Sequence, residues 1–473
     1  MAQCPSCGRE LQLAPDGISS CPECAQESAR RRAERPSIAE YFLRFPATTI
    51  LLAINILVFV AMLLGHVSLY GPTTDQLVAW GGNSGEKVLL MNQWWRILTA
   101  AFIHIGIVHL VMNMWALWVL GTLAEVVLGP YLYLAIYLTC AISGALASLY
   151  ANPVVAGAGA SGALMGVLGA LISVLKFAGL PLPSEVLRST IRSLVQGAAL
   201  TLLIGVLPRV DNAAHIGGLM CGLIIGLLLS FTRRADRSLH RPLRQICVIV
   251  PIALMVPFAF AVRKHGQPEV RLQYAFREIQ KRHYANAEKN ARVALEGSRN
   301  RSAALLVLSD ALALQGHDSE ASNYLHELVA QDARNESAVN RLAAIELKDG
   351  DTAGALDLLR RTLPLQPRNA EGQVYLGRAL QAENEDREAI EHYRKAVEIN
   401  PNLYEAQVAL AGIYEKNNQL QDALLFYLKA AQLRSQELDT LRGLARVYLA
   451  LGFKKQADQT IEQIRTLEAT KKE

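Results

Sequence analysis

The chain has 473 residues, of which 51% are hydrophobic, and its formal net charge at pH 7 is only +5. That length is enough for about three domains. The hydrophobic residues are concentrated before about residue 262, whereas the rest of the chain is charged and rich in Ala and Leu. The small net charge, with basic residues clustered beside apolar runs, argues against a nucleic-acid partner and indicates a lipid bilayer instead.

Two CxxC pairs lie near the amino terminus. They are Cys4 with Cys7 and Cys21 with Cys24, separated by thirteen residues. Two such pairs can close a tetrahedral thiolate site around zinc, and a metal would explain how so short a segment folds. Two disulfides or a redox motif are the alternatives, but a cytoplasmic setting and the doubled motif argue against both. We therefore predict a zinc-ribbon-like segment over residues 1–35, with a structural zinc and no open catalytic position.

Apolar runs then predict a series of transmembrane helices. No secretory signal precedes the first run, so we expect a cytoplasmic amino terminus. The seventh run is the weakest, because it contains Pro251 and Pro257, and an interfacial segment is the alternative. The predicted spans lie near residues 46–66, 97–120, 128–150, 157–177, 190–208, 212–231 and 246–262.

The positive charges agree with this orientation. The segments after spans four and six, which would be cytoplasmic, carry Lys and Arg, whereas the outer segment between spans three and four has no charge. A true seventh span would place the chain after Arg263 outside the cytoplasm. Arg263 and Lys264 themselves weigh mildly against that placement.

A 34-residue period occupies the last two hundred residues. This period, with small residues where two helices touch, resembles the tetratricopeptide repeat and predicts six helix pairs stacked as an α-solenoid. An unrelated helical bundle is the alternative, but it would have no reason to keep the period. We expect the array to bind proteins or peptides and not to catalyse. The alanines that recur are Ala287, Ala321, Ala355, Ala389, Ala423 and Ala457, and the small residues twelve positions before them are Ala275, Ser309, Ala343, Gly377, Ala411 and Ala445.

Polar residues inside the predicted spans are the candidates for chemistry. Ser161 lies among glycines in the longest charge-free stretch of the chain, and His215 lies near the start of span six. His109 and Asn113 are one helical turn apart in span two. Structural alternatives exist, since a serine can pack helices and a His/Asn pair can join them by hydrogen bonds. A serine and a histidine together, however, suggest a nucleophile and its base.

The order of these motifs resembles the rhomboid family of intramembrane serine proteases. HxxxN at 109–113 is followed by GxSGA at 159–163 and AHxxG at 214–218, and the similarity covers about residues 40–232. The resemblance implies an all-α, polytopic membrane bundle with six core spans. Other positions that match the family are Trp95, Arg96, Glu125, Asp211 and Asn212.

The resemblance also implies roles for individual residues. Ser161 matches the nucleophile and His215 the general base of a dyad without a third member. The backbone N–H of Ser161 and the side chains of His109 and Asn113 would form an oxyanion hole, where fixed donors stabilise developing negative charge. Such chemistry needs no cofactor. Water is a reactant, so we expect His104 to join His109, Asn113 and Ser161 in lining a wet cavity.

Glycines are expected to bring the dyad together. Gly162 and Gly166 lie one turn apart in span four, and Gly218 and Gly222 do so in span six, which lets two helix backbones approach closely. One position departs from the family, because many relatives have Tyr or Phe where this chain has Met165. A thioether can fill that space, although it orients an imidazole less rigidly. The predicted supporting residues are Gly159, Gly162, Gly218, Trp95, Arg96, Glu125 and Met165.

These observations predict an integral membrane serine protease that cleaves transmembrane segments of other proteins near small or helix-breaking residues. We expect it in a bacterial inner membrane, with extracytoplasmic repeats that recruit substrates or partners. The alternatives are a non-catalytic rhomboid-like chaperone or adaptor with a repeat scaffold, and a membrane part that serves only as an anchor. The predicted domains are a zinc-ribbon-like segment (1–35), a rhomboid core (40–232), a basic loop with the seventh helix (233–264) and the repeats (265–473).

Overall fold

The computed structural model describes residues 43–206, 210–232 and 240–470. Within these ranges the chain is helical, and its β pairing is limited to one bridge between Asn83 and Gly157. The chain divides into two compact units, the first ending at Val270 and the second beginning at Arg271. The predicted zinc ligands, Cys4, Cys7, Cys21 and Cys24, lie outside the described residues.

The first unit is a bundle of apolar helices. By length and composition, five of its described helices can cross a membrane, namely α1, α4, α5, α8 and α9, while α6 is apolar but shorter. In chain order the elements are α1 (Pro46–Leu64), α2 (Thr74–Ala79), a π-helical turn (Glu86–Leu90), α3 (Arg96–Thr99), a 3₁₀ turn (Ala100–Phe102), α4 (Ile107–Leu128), α5 (Pro130–Ala151), α6 (Ser161–Phe177), α7 (Ser184–Ile204), α8 (Asn212–Thr232) and α9 (His240–Gln280).

The limits of two predicted spans differ most from those of the helices. The second, predicted over 97–120, is helix α4 and begins only at Ile107, after Gly106 with its φ of +84°. The apolar residues ahead of Gly106 form the short helix α3 and a 3₁₀ turn instead. Hydrophobicity cannot locate a helix start inside a longer apolar run. The seventh, predicted over 246–262, is part of the much longer α9, which continues through its internal prolines.

Close contact between α6 and α8 confirms the predicted glycine faces. A Cβ added at Gly218 would collide with the carbonyl oxygen of Gly162, and one added at Gly222 would collide with that of Gly166. Backbone therefore packs directly on backbone along this interface. The contact places the first residue of α6 beside the first turn of α8.

Glu125 links α4 to α1. Its Oε1 accepts a hydrogen bond from the Ala47 N–H, and its Oε2 accepts one from the Thr48 N–H, both at 2.9 Å. The Thr48 hydroxyl also donates to Oε2 at 2.5 Å. A carboxylate at this position satisfies N–H groups that have no partner within the helix and complements the positive end of the helix dipole. The predicted second span ended before Glu125, whereas α4 includes this residue. Glu125 therefore joins two helices within the bundle.

The second unit has the six helix pairs that the period predicted. The end of α9 pairs with α10, where the Arg271 guanidinium donates to Asn290 Oδ1 at 2.8 Å. All six alanines of the 34-residue period are fully buried. The pairs continue through α10 (Tyr284–Leu295), α11 (Arg301–Ala313), α12 (Asp318–Gln331), α13 (Glu336–Lys348), α14 (Thr352–Thr362), a 3₁₀ turn (Leu363–Leu365), α15 (Ala370–Ala382), α16 (Asp386–Ile399), α17 (Tyr404–Lys416), α18 (Leu420–Leu433), α19 (Leu438–Ala450) and α20 (Lys454–Thr470).

Candidate active site

Ser161 and His215 are in hydrogen-bond contact. His215 Nε2 lies 2.9 Å from Ser161 Oγ, and the imidazole is 5% exposed. For Ser161 to donate to Nε2, the ring proton must lie on Nδ1. Among the described residues His215 Nδ1 has no hydrogen-bond partner, so no carboxylate extends the pair into a triad. This geometry is the one that a nucleophile with an adjacent general base requires.

Ser161 lies at the start of a helix, directly after a glycine-rich loop. Ser161 is the first residue of α6, and the first N–H groups of a helix have no partner within that helix. Just before it, Gly159 has a φ of +128°, in a region that favours glycine. A Cβ on Gly159 would lie 2.6 Å from His109 Cε1, so the absence of a side chain lets the His109 ring approach this loop.

The two side chains proposed for the oxyanion hole lie on the first turns of α4. His109 Nδ1 accepts a hydrogen bond from the Ile105 N–H at 3.2 Å, which places the ring proton on Nε2 and makes that atom a donor. The Asn113 side-chain amide donates to the His109 carbonyl oxygen at 2.8 Å. An amide nitrogen carries two hydrogens, so this bond leaves Asn113 a second one.

The cavity beside Ser161 is lined mainly by residues that the sequence did not single out for it. It has a volume of about 40 Å³, room for roughly one water molecule. Of the four residues expected to line it, Ser161 does, whereas His104, His109 and Asn113 are not part of its lining. His104 is fully buried, with its ring centroid 5.3 Å from that of His109. The other polar side chains of the lining belong to Asn83, Ser148 and Asp211, and most of the remaining lining residues are glycines and alanines.

Asp211 carries the clearest sequence signal among these additional residues. It lies one helical turn before His215, in the Asp-Asn pair that matches the family pattern. Its Oδ1 accepts a hydrogen bond from the Ala214 N–H at 3.0 Å and so caps the start of α8. Asn83 and Ser148 belong to none of the motifs, and no spacing pointed to them.

The remaining supporting residues act on the scaffold. The Arg96 guanidinium lies over the Trp95 ring at 4.5 Å and donates to the carbonyl oxygens of Val78 and Gly82. It therefore ties together the segment between α2 and α3. Met165 is 3% exposed and belongs to the hydrophobic core. Within the ranges that the structure describes, no group of three or more His, Cys, Asp or Glu side chains could hold a metal ion.

Comparison with known proteins finds matches in both units. A model of the rhomboid domain matches residues 91–232, and a model of the tetratricopeptide repeat matches residues 370–403. Rhomboid protease GluP of Bacillus subtilis (strain 168) is 28% identical over 323 residues, which are 68% of this chain and 55% of that protein. Rhomboid protease AarA of Providencia stuartii is 30% identical over 212 residues, which are 40% of this chain and 75% of that protein.

Among solved structures, that of Pseudomonas aeruginosa pilF matches 42% of this chain and 91% of its own, with 19% identity and a TM-score of 0.39. The chain spans about half the length of the first curated relatives that it matches.

Proposed function

The chain belongs to the rhomboid family, and we propose that it is an intramembrane serine endopeptidase that cleaves membrane-spanning segments of other proteins. The observation that carries this proposal is the 2.9 Å contact between His215 Nε2 and Ser161 Oγ. The catalytic groups belong to the protein itself, and the reaction uses no cofactor.

In the proposed mechanism Ser161 attacks the carbonyl carbon of a substrate peptide bond. As Oγ bonds to that carbon, its proton passes to His215 Nε2, and the carbonyl oxygen becomes an oxyanion. The Ser161 N–H, His109 Nε2–H and the Asn113 amide are the donors proposed to hold this oxyanion. The oxyanion then re-forms the carbonyl as the C–N bond breaks, the imidazolium gives its proton to the leaving amine, and an ester links Ser161 to the new carboxyl end. Water, activated by His215, hydrolyses the ester and restores the serine.

The surroundings of the serine support the proposed substrate class. A peptide bond within a transmembrane helix is shielded by its own backbone hydrogen bonds, so the substrate must unwind locally, which small or helix-breaking residues favour. The cavity of about 40 Å³ beside Ser161 admits only a small side chain. In this proposal the repeats of the second unit recruit membrane-protein substrates or protein partners.

A cleavage assay with a catalytic-serine variant tests the function. We expect the wild-type chain, co-expressed with a panel of single-span membrane proteins, to cut some of them, and Ser161→Ala to cut none. Ser189→Ala, the same chemical change at an exposed position of α7, is the matched control and should keep activity. Quantitative membrane proteomics of the same strains would identify native substrates. Cleavage that persists in Ser161→Ala, or that is absent in wild type, would instead support the non-catalytic chaperone or adaptor.

For the topology we propose a cytoplasmic amino terminus and extracytoplasmic repeats, in a bacterial inner membrane. Gly266 and Gln267 of α9 lie next to Leu89 and Pro153. Counting spans from a cytoplasmic amino terminus places the segments that contain Leu89 and Pro153 outside the cytoplasm. Residues 270–470 should therefore be digested by protease added to spheroplasts. Their protection in intact spheroplasts, with digestion only after lysis, would contradict this topology.

We also propose that the amino-terminal cysteines bind one structural zinc ion. The support is the donor set, four thiols in two CxxC pairs, which suits tetrahedral zinc. Metal analysis of the purified chain should find zinc in stoichiometric amount, and Cys4→Ser with Cys21→Ser should remove it. Equal zinc content in the variant and the wild type would refute the assignment.

A further inference from the structure

Helix α9 lies beyond the residues that the rhomboid-domain model matches. Its part up to Val270 nevertheless belongs to the first unit and packs against it. Val262 and Val270 are both buried, and they share one hydrophobic cluster with Val88, Leu89 and Leu149. We call residues 262–270 of α9 the docking segment. Its contacts are made with two parts of the protein, the π-helical turn at 86–90 and the end of α5 with the loop that follows.

Gly266 is the point where these parts meet. A Cβ on Gly266 would lie 2.8 Å from Leu89 Cδ1 and 3.1 Å from Pro153 Cβ, so the gap leaves little room for a side chain. Next to it, Gln267 Nε2 donates a hydrogen bond to the Leu89 carbonyl oxygen at 3.1 Å. On the other side, the His265 ring is stacked on Tyr150, with centroids 5.0 Å apart and planes at 7°.

The contacted residues lead directly to the nucleophile. A Cβ on Gly85 would collide with the Pro153 carbonyl oxygen and lie 2.8 Å from Val270 Cγ2, so these three residues are tightly packed. Two residues earlier, Asn83 forms the β-bridge with Gly157, through N–H···O bonds of 2.8 and 2.9 Å in both directions. Gly157 lies four residues before Ser161. The docking segment thus contacts residues close in sequence to both partners of the β-bridge that precedes Ser161.

We propose that the docking segment is a positioning element of the protease. By holding the π-helical turn and Pro153, it fixes the bridged loop between residues 152 and 160 and therefore the orientation of Ser161 and its N–H. The inference rests on the proposed function, since it concerns the efficiency of the same serine. It extends the functional protease from the matched domain at 91–232 to Val270.

The test inserts a side chain at Gly266 in the full-length chain. We expect Gly266→Leu to lower kcat for a single-span substrate by about 10- to 100-fold with KM changed less than about twofold, because displacement by about 1 Å costs this much in rate. The rate at which a fluorophosphonate probe labels Ser161 should fall in parallel. Ala261→Leu, on an exposed position of the same helix, is the matched control and should behave as wild type.

A milder variant keeps the test decisive if Gly266→Leu does not fold. Gln267→Glu has nearly the same shape, but its ionised carboxylate cannot donate to the Leu89 carbonyl, and we expect it to reduce kcat and labelling about threefold or more while the chain stays folded. Wild-type kcat and labelling in a folded Gly266→Leu or Gln267→Glu variant would overturn the inference. So would an equal loss in Ala261→Leu. A wild-type chain that neither cleaves nor is labelled would instead refute the proposed function.

Discussion

Replacing Ser161 or His215 with Ala is expected to lower kcat by at least about 10³-fold, with KM and the melting temperature nearly unchanged. Each change removes one half of the 2.9 Å Nε2–Oγ contact. Without His215 the hydroxyl keeps its proton and is a weak nucleophile, and without Ser161 no covalent intermediate can form. KM should stay nearly unchanged, because neither side chain is expected to contribute much to substrate binding before the reaction.

The double variant distinguishes a working dyad from two separate effects. Residues that act as one unit are strongly non-additive, so Ser161→Ala with His215→Ala should be no slower than the slower single variant. Any residual rate would come from binding and from the oxyanion donors. The measurement is kcat on a purified single-span substrate, with Ser189→Ala as the control for loss of a hydroxyl. Losses that multiply in the double variant would contradict the shared mechanism.

The parts of the site that could be predicted from the sequence are those fixed by local spacing. His109 and Asn113 are one turn apart on a helix, and Gly162 and Gly218 must face each other if two backbones are to touch, so a regular period places them. The resemblance to a family then supplied the pairing of Ser161 with His215. Six repeats were predicted because their period of 34 residues recurs in the chain itself.

The parts that could not be predicted depend on contacts between residues distant in sequence. The start of α4 is set by the backbone turn at Gly106, and its apolar neighbours gave no sign of it. The cavity beside Ser161 is completed by Asn83 and Ser148, which come from separate segments. Likewise, nothing in the apolar sequence of α9 indicates that Gly266 lies next to Leu89. Such pairings appear only once the helices are packed.

A single methyl group added at Gly218 is expected to lower activity strongly, although Gly218 lies outside the dyad. Its Cβ would collide with the Gly162 carbonyl oxygen. A backbone oxygen inside a helix cannot turn aside as a flexible side chain can, so α6 and α8 must separate. His215 lies one turn before Gly218 on α8, and Gly162 follows Ser161 directly on α6. Separation at this contact therefore lengthens the distance between His215 Nε2 and Ser161 Oγ.

We expect Gly218→Ala to lower kcat by about 10²-fold and to reduce stability by about 1–3 kcal/mol, the usual cost of overpacking. The matched control is Gly197→Ala on α7, where the added Cβ meets its nearest neighbour, Leu168 Cδ1, at an ordinary 3.9 Å. That variant should keep full activity and gain about 0.5–1 kcal/mol, because alanine is the better helix former. Rates and melting temperatures of both variants in one detergent decide the matter. If Gly218→Ala cleaves as fast as Gly197→Ala, close packing of α6 on α8 cannot be what holds the dyad together.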